Sequence, residues 1–87
     1  MPRRRADLVW QELDGEAVLY DPDNGFTHRM NATAVRVWEA CDGKSTSLQV
    51  AGALVSQFDV TLEQAQLDVE QLIAAFARAG LFVPEAA

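Results

Sequence analysis

Apolar and polar positions change rhythm once along this chain, near residue 31. Before that point short apolar runs are broken by turn residues. After it, apolar positions recur every three or four residues, the helical period. The runs LVWQEL and EAVLY flank Asp14 and Gly15. Asp-Gly suits a two-residue type I′ hairpin, whose central residues both need positive φ. Pairing about that turn sets Trp10 opposite Leu19 and Val9 opposite Tyr20. Both faces of the ribbon then carry apolar groups, the pattern of a ribbon covered on both sides. A longer turn follows at DPDNG, residues 21–25, where Pro22 presets φ and Asn24 and Gly25 tolerate left-handed conformations. The run FTHRM, residues 26–30, predicts a third strand, with Phe26, His28 and Met30 on one face and Thr27 and Arg29 on the other.

The remainder predicts three helices. Asn31 is a good N-cap for a helix over residues 32–41, with Val35, Trp38 and Cys41 or Asp42 on its buried stripe. Gly43 fits the left-handed position that ends it. Thr46 with Gln49 forms a capping-box pattern for a second helix over 47–57, whose apolar stripe is Val50, Ala51, Leu54 and Phe58. Thr61 with Gln64 forms another for a third helix over 62–79, with a stripe of Leu62, Ala65, Val69, Leu72, Ile73 and Phe76. Gly80 stops that helix, and Leu81 folds back as the apolar partner of a Schellman cap. Three antiparallel strands followed by three short helices predict an α+β, winged-helix-like domain over residues 7–83, with a basic disordered tail at 1–6 and another tail at 84–87.

Composition narrows the function. At 87 residues and 49% hydrophobic, the chain supports one small core without metal or disulfide staples. A single cysteine forms no internal disulfide, no apolar stretch follows the basic start, and no run is long enough to span a bilayer, so a cytoplasmic protein without membrane contact is expected. The net charge is −6, and without Arg3, Arg4 and Arg5 four positive charges face thirteen negative ones. Phosphate backbones need clustered Lys and Arg, so nucleic acid is not an expected partner.

Candidate chemistry is sparse. Cys41 falls on an apolar stripe at a helix C-terminus, where the negative end of the helix dipole disfavours a thiolate. His28 points with Phe26 and Met30 and reads as a packed, hydrogen-bonded histidine. One histidine and one cysteine do not fill a structural zinc site, and Asp21 with Asp23 lacks the ligand spacing of a calcium loop. No phosphate-binding or nucleophile-elbow motif is present, so no cofactor and no catalysis are expected. Two surfaces are suited to binding. The third strand of a meander is an edge, whose unpaired N–H and C=O groups are open to an added peptide strand. The back of the third helix carries Leu67, Gln71, Ala74 and Arg78 opposite its core stripe. An exposed edge is equally able to pair with a second copy, giving a homodimer.

The ordered set Gly25, Met30-Asn31, Thr33-Ala34, Trp38, Asp42-Gly43, Asp68-Val69 and Gly80-Leu81 resembles the PqqD family and the related RiPP recognition elements over about residues 17–83. Met30 stands where that pattern more often has leucine. The resemblance implies a non-catalytic peptide chaperone. Such a domain binds the leader of a ribosomally made precursor peptide as an added strand and presents it to a modifying enzyme, such as a radical-SAM protein or a leader peptidase. Carried over by position, Phe26, Thr27, His28, Arg29 and Met30 are the expected strand contacts, and Leu67, Asp68 and Gln71 the expected helix contacts. Asn31, Trp38, Gly43, Val69 and Gly80 are expected to maintain the fold. Two competing readings are an accessory subunit that regulates a partner enzyme without delivering peptide and a winged-helix DNA-binding protein, the latter opposed by the charge.

Overall fold

The computed structural model describes residues 2–83; Met1 and the expected tail at 84–87 lie outside them. The elements run β1 (Val9–Leu13), β2 (Glu16–Tyr20), β3 (Thr27–Met30), α1 (Ala32–Glu39), α2 (Ser47–Gln57) and α3 (Leu62–Arg78). The strands form one antiparallel sheet in the order β1-β2-β3. Asp14 and Gly15 both take positive φ, 55° and 81°, so the β1–β2 turn is closed by the residues best able to close it. That turn fixes the register, with Trp10 opposite Leu19 and Val9 opposite Tyr20.

The sheet is covered on one face only, although the apolar groups on both faces of the ribbon left the buried face unmarked in the sequence. Ala17, Leu19 and Met30 point into the core, and Trp10 is half-buried beside them. Val9, Leu13, Val18 and Tyr20 point outward and stay exposed. The core is completed by Ala34, Val35, Val37 and Trp38 of α1, Val50, Ala51 and Leu54 of α2, Ala65, Val69 and Phe76 of α3, and Leu81. Trp38 is its aromatic centre: Phe76 meets it edge-on at 5.3 Å, while Phe82 and Trp10 stack at 6.1 and 6.4 Å. Of the stripe expected for α3, Leu62, the first residue of the helix, is exposed.

Local hydrogen bonds set the helix ends. Asn31 Oδ1 accepts from Ala34 N–H at 2.9 Å, a cap worth about 1 kcal/mol. Thr46 and Gln49 form the complete reciprocal box, at 3.1 and 2.9 Å. Thr61 Oγ1 accepts from Gln64 N–H at 3.1 Å, but the Gln64 side chain turns away and donates to Asp68 Oδ1 at 2.8 Å. After α3, Gly80 takes φ 74°; its N–H donates to Ala77 C=O and that of Leu81 to Phe76 C=O, the Schellman pattern.

Residues 3–5 are not a free tail. Arg4 N–H donates to Cys41 C=O, Arg5 N–H donates to Leu81 C=O, and Arg3 C=O accepts from Val83 N–H at 2.8 Å. The Arg5 guanidinium bonds both oxygens of the buried Asp21 carboxylate at 2.9 and 3.1 Å. It also reaches Asp7, Asp23 and the Gly80 carbonyl. One side chain thus ties the N-terminal segment to the β2–β3 turn and to the end of α3. No helix among the described residues is long and apolar enough to cross a membrane.

Candidate functional site

The site follows from the phase of β3. Asp21 N–H donates to Phe26 C=O at 2.9 Å, across the turn that precedes the strand. That hydrogen-bonded pair is in register with Leu19 opposite His28 and Ala17 opposite Met30. Bonded and non-bonded pairs alternate in an antiparallel ladder. Thr27, opposite Tyr20, and Arg29, opposite Val18, are therefore the non-bonded positions, and their N–H and C=O groups turn away from β2. β3 is the outermost strand, so these groups lie along an edge with no further described strand beside it. His28 and Met30 were expected to offer backbone groups as well, but theirs face β2.

Two hollows meet at Asn31, where β3 passes into α1. On the helical side a groove of about 290 Å³ is lined by Asn31, Thr33, Asp68, Gln71 and Leu72. On the outward side a wider depression of about 580 Å³ runs from Leu13, Glu16 and Val18 to Arg29, Met30 and Asn31. Successive side chains of a strand point to opposite faces, so a strand laid along an edge presents alternate residues to the two faces of the sheet.

The structure brings Asp68 and Gln71 to the groove wall, and leaves Leu67 exposed outside the lining residues. Asn31, Thr33 and Leu72 join the groove although sequence reasoning assigned Asn31 to capping and Leu72 to the core. Asn31 does both: its Oδ1 caps α1 while the residue closes one end of the groove. The signal for Thr33 was its place two residues after that cap, where α1 leaves the end of β3. Phe26 precedes the strand. Its N–H is held by Asn24 Oδ1 at 2.9 Å, and its ring is 65% exposed rather than turned to the core, beside the edge. His28 is half-buried, and its Nε2 is buried without a hydrogen-bond partner among the described residues, where a satisfied histidine was expected.

The reactive groups are committed elsewhere. Cys41 is fully buried, its Sγ donates to Val37 C=O at 3.2 Å, and burial pushes the thiol up to about 11. At neutral pH that group is a thiol, not a nucleophilic thiolate. Asp7, Asp21 and Asp23 gather within 4.8 Å of one another, but Arg5 bonds all three. Hydrogen bonding to Arg5 holds the Asp7 and Asp21 carboxyls below the usual carboxylate range, and the same bonds raise Arg5. The cluster is an internal ion network. Asp42 is held down to about 2 by the backbone N–H groups of Ser45 and Lys44, which it accepts as the cap of the α1–α2 turn. The third helix offers Arg78 against Glu63, Asp68 and Glu70, a poor surface for duplex phosphate.

An open sheet edge beside hollows is the geometry that strand-capturing binding domains use. The chain belongs to the coenzyme PQQ synthesis protein D (PqqD) family, which it matches over residues 16–81. Two solved structures share its fold. One, described as TbiB1 in complex with the TbiA(beta) leader peptide, aligns with a TM-score of 0.81 at 19% identity, over 98% of this chain and 99% of that one. The other, lasso peptide synthetase B1 complexed with the leader peptide, has a TM-score of 0.81 at 24% identity, over 94% and 96%. No curated protein is similar enough in sequence to count as a match.

Proposed function

We propose that this domain is a non-catalytic peptide chaperone. It takes the leader of a ribosomally made precursor peptide as a fourth strand on β3 and presents it to a modifying enzyme. The observation that carries the reading is the outward phase of Thr27 and Arg29 beside the groove of Asn31, Thr33, Asp68, Gln71 and Leu72. Backbone pairing at Thr27 and Arg29 supplies affinity without sequence preference, and the two hollows supply selection among side chains. Phe26 covers the incoming strand at its open end, and Leu67 extends the contact along α3. Both solved structures of this fold hold leader peptides, which supports a leader as the occupant of the edge here. The enzyme served is a radical-SAM protein or a leader peptidase, and the domain works in the cytoplasm where precursor peptides are made.

Arg29→Pro tests the phase. Proline removes an N–H that faces away from β2, and an edge strand tolerates it there. The variant should keep the wild-type circular dichroism spectrum and bind a fluorescent leader peptide, one that the wild-type domain captures, at least about tenfold more weakly, since one buried donor is lost to the added strand. A folded Arg29→Pro domain with unchanged leader affinity sinks the proposal.

A further inference from the structure

The polar groove beside β3 has one charged lining residue, and its charge is negative. Asp68 is half-buried, and no Lys or Arg of the described residues forms an ion pair with it. Its position is fixed by a neighbour: Gln64 donates to Oδ1 at 2.8 Å, with its side chain diverted from the reciprocal capping bond that the equivalent Gln49 makes on α2. The second oxygen, Oδ2, accepts no hydrogen bond among the described residues. The same groove is lined by Gln71 and Thr33, which carry an amide and a hydroxyl, and by Leu72, which is apolar.

Building on peptide capture at β3, we infer that Asp68 is a specificity-determining residue which selects a lysine or arginine at one fixed register of the bound strand. A long basic side chain matches all parts of the groove. Its methylene stem lies on Leu72, its cationic head meets Oδ2, and its remaining N–H donors reach Thr33 and Gln71. An acidic side chain entering there would meet an unpaired carboxylate at close range, and an apolar one would leave Oδ2 desolvated and unpaired. The other register positions, facing the outward depression around Leu13 and Val18, carry no such demand.

The experiment is a display selection of random twelve-residue peptides against the intact domain and against Asp68→Asn, which keeps the size of the side chain and an oxygen for Gln64. Selected peptides are then titrated into labelled protein. Expected are binders that shift the Thr27 and Arg29 amides, with Lys or Arg enriched several-fold at one register on wild type and not on Asp68→Asn. In such a peptide, replacing that Lys by norleucine should weaken binding to wild type about tenfold, the effect of one charge-assisted hydrogen bond, and less at high salt. Edge binders without basic enrichment, or with enrichment that Asp68→Asn retains, overturn the selectivity while leaving strand capture intact. Peptides that bind away from β3, or no recovered binder at all, overturn strand capture and the selectivity together.

Discussion

Removing Trp38 is the most demanding test of the packing that holds the site together. The side chain is only 3% exposed and touches three other rings. A buried tryptophan hides about 150–250 Å², which at about 25 cal/mol per Å² corresponds to about 4–6 kcal/mol. That is an upper bound, because the unfolded chain already shields part of this surface, and Trp→Ala changes cost about 3–5 kcal/mol. A domain of 87 residues has about 4–13 kcal/mol in total at ~0.05–0.15 kcal/mol per residue. Trp38→Ala should therefore lower the thermal midpoint by at least about 12 °C, from about 4 °C per kcal/mol at this size. Trp38→Phe keeps a ring against Phe76 and should cost less than half as much. Trp38 also locks α1 to α3, the two helices that wall the groove, so leader affinity should fall in step with stability. Thermal unfolding followed by circular dichroism measures the first effect. A Trp38→Ala midpoint within about 5 °C of wild type, far below the ~12 °C floor, would refute the reasoning.

Acid should loosen the molecule through named carboxylates. Asp7, Asp21 and Asp42 all have folded-state values below the usual carboxylate range, so each contributes stability above about pH 4 that is lost as pH falls through its folded value, about 2 for Asp42. The thermal midpoint should be flat from pH 7 to 5 and fall below about pH 4; in Arg5→Gln the midpoint at pH 7 should be lower and the acid fall shallower. An unchanged acid fall in Arg5→Gln contradicts the ion-network account. Cys41 should resist a thiol reagent in the native domain at pH 8 and react at the model-thiol rate only after denaturant is added; rapid native labelling would mean the thiol is not sealed in the core.

Much of the fold was legible because its determinants are local. The Asp14-Gly15 turn set the register of β1 on β2, the caps at Asn31, Thr46 and Thr61 set three helix starts, and Gly80 with Leu81 set the last stop. What escaped is long-range. Arg5 looked like part of a solvated basic run, yet its partners Asp21 and Gly80 are 16 and 75 residues away. No periodicity connects such positions. Which sheet face is buried was also illegible, since Val9, Val18 and Tyr20 are as apolar as Leu19, and only the placement of the helices decides between them. At the candidate site, the third strand and the third helix were read from the sequence as binding surfaces, but the groove is also lined by Thr33 and by Asn31, which a helix-start reading absorbs into capping.

The most direct measurement is hydrogen exchange, read by NMR at the backbone amides of residues 27–30 with and without a leader peptide. In the free domain the Thr27 and Arg29 amides should exchange quickly and those of His28 and Met30, bonded to β2, slowly. With leader at about a hundred times its dissociation constant, Thr27 and Arg29 should slow by up to about a hundredfold, while His28 and Met30 change little. If Thr27 and Arg29 stay fast while the leader is demonstrably bound, the peptide is not a fourth strand on β3 and the central claim fails.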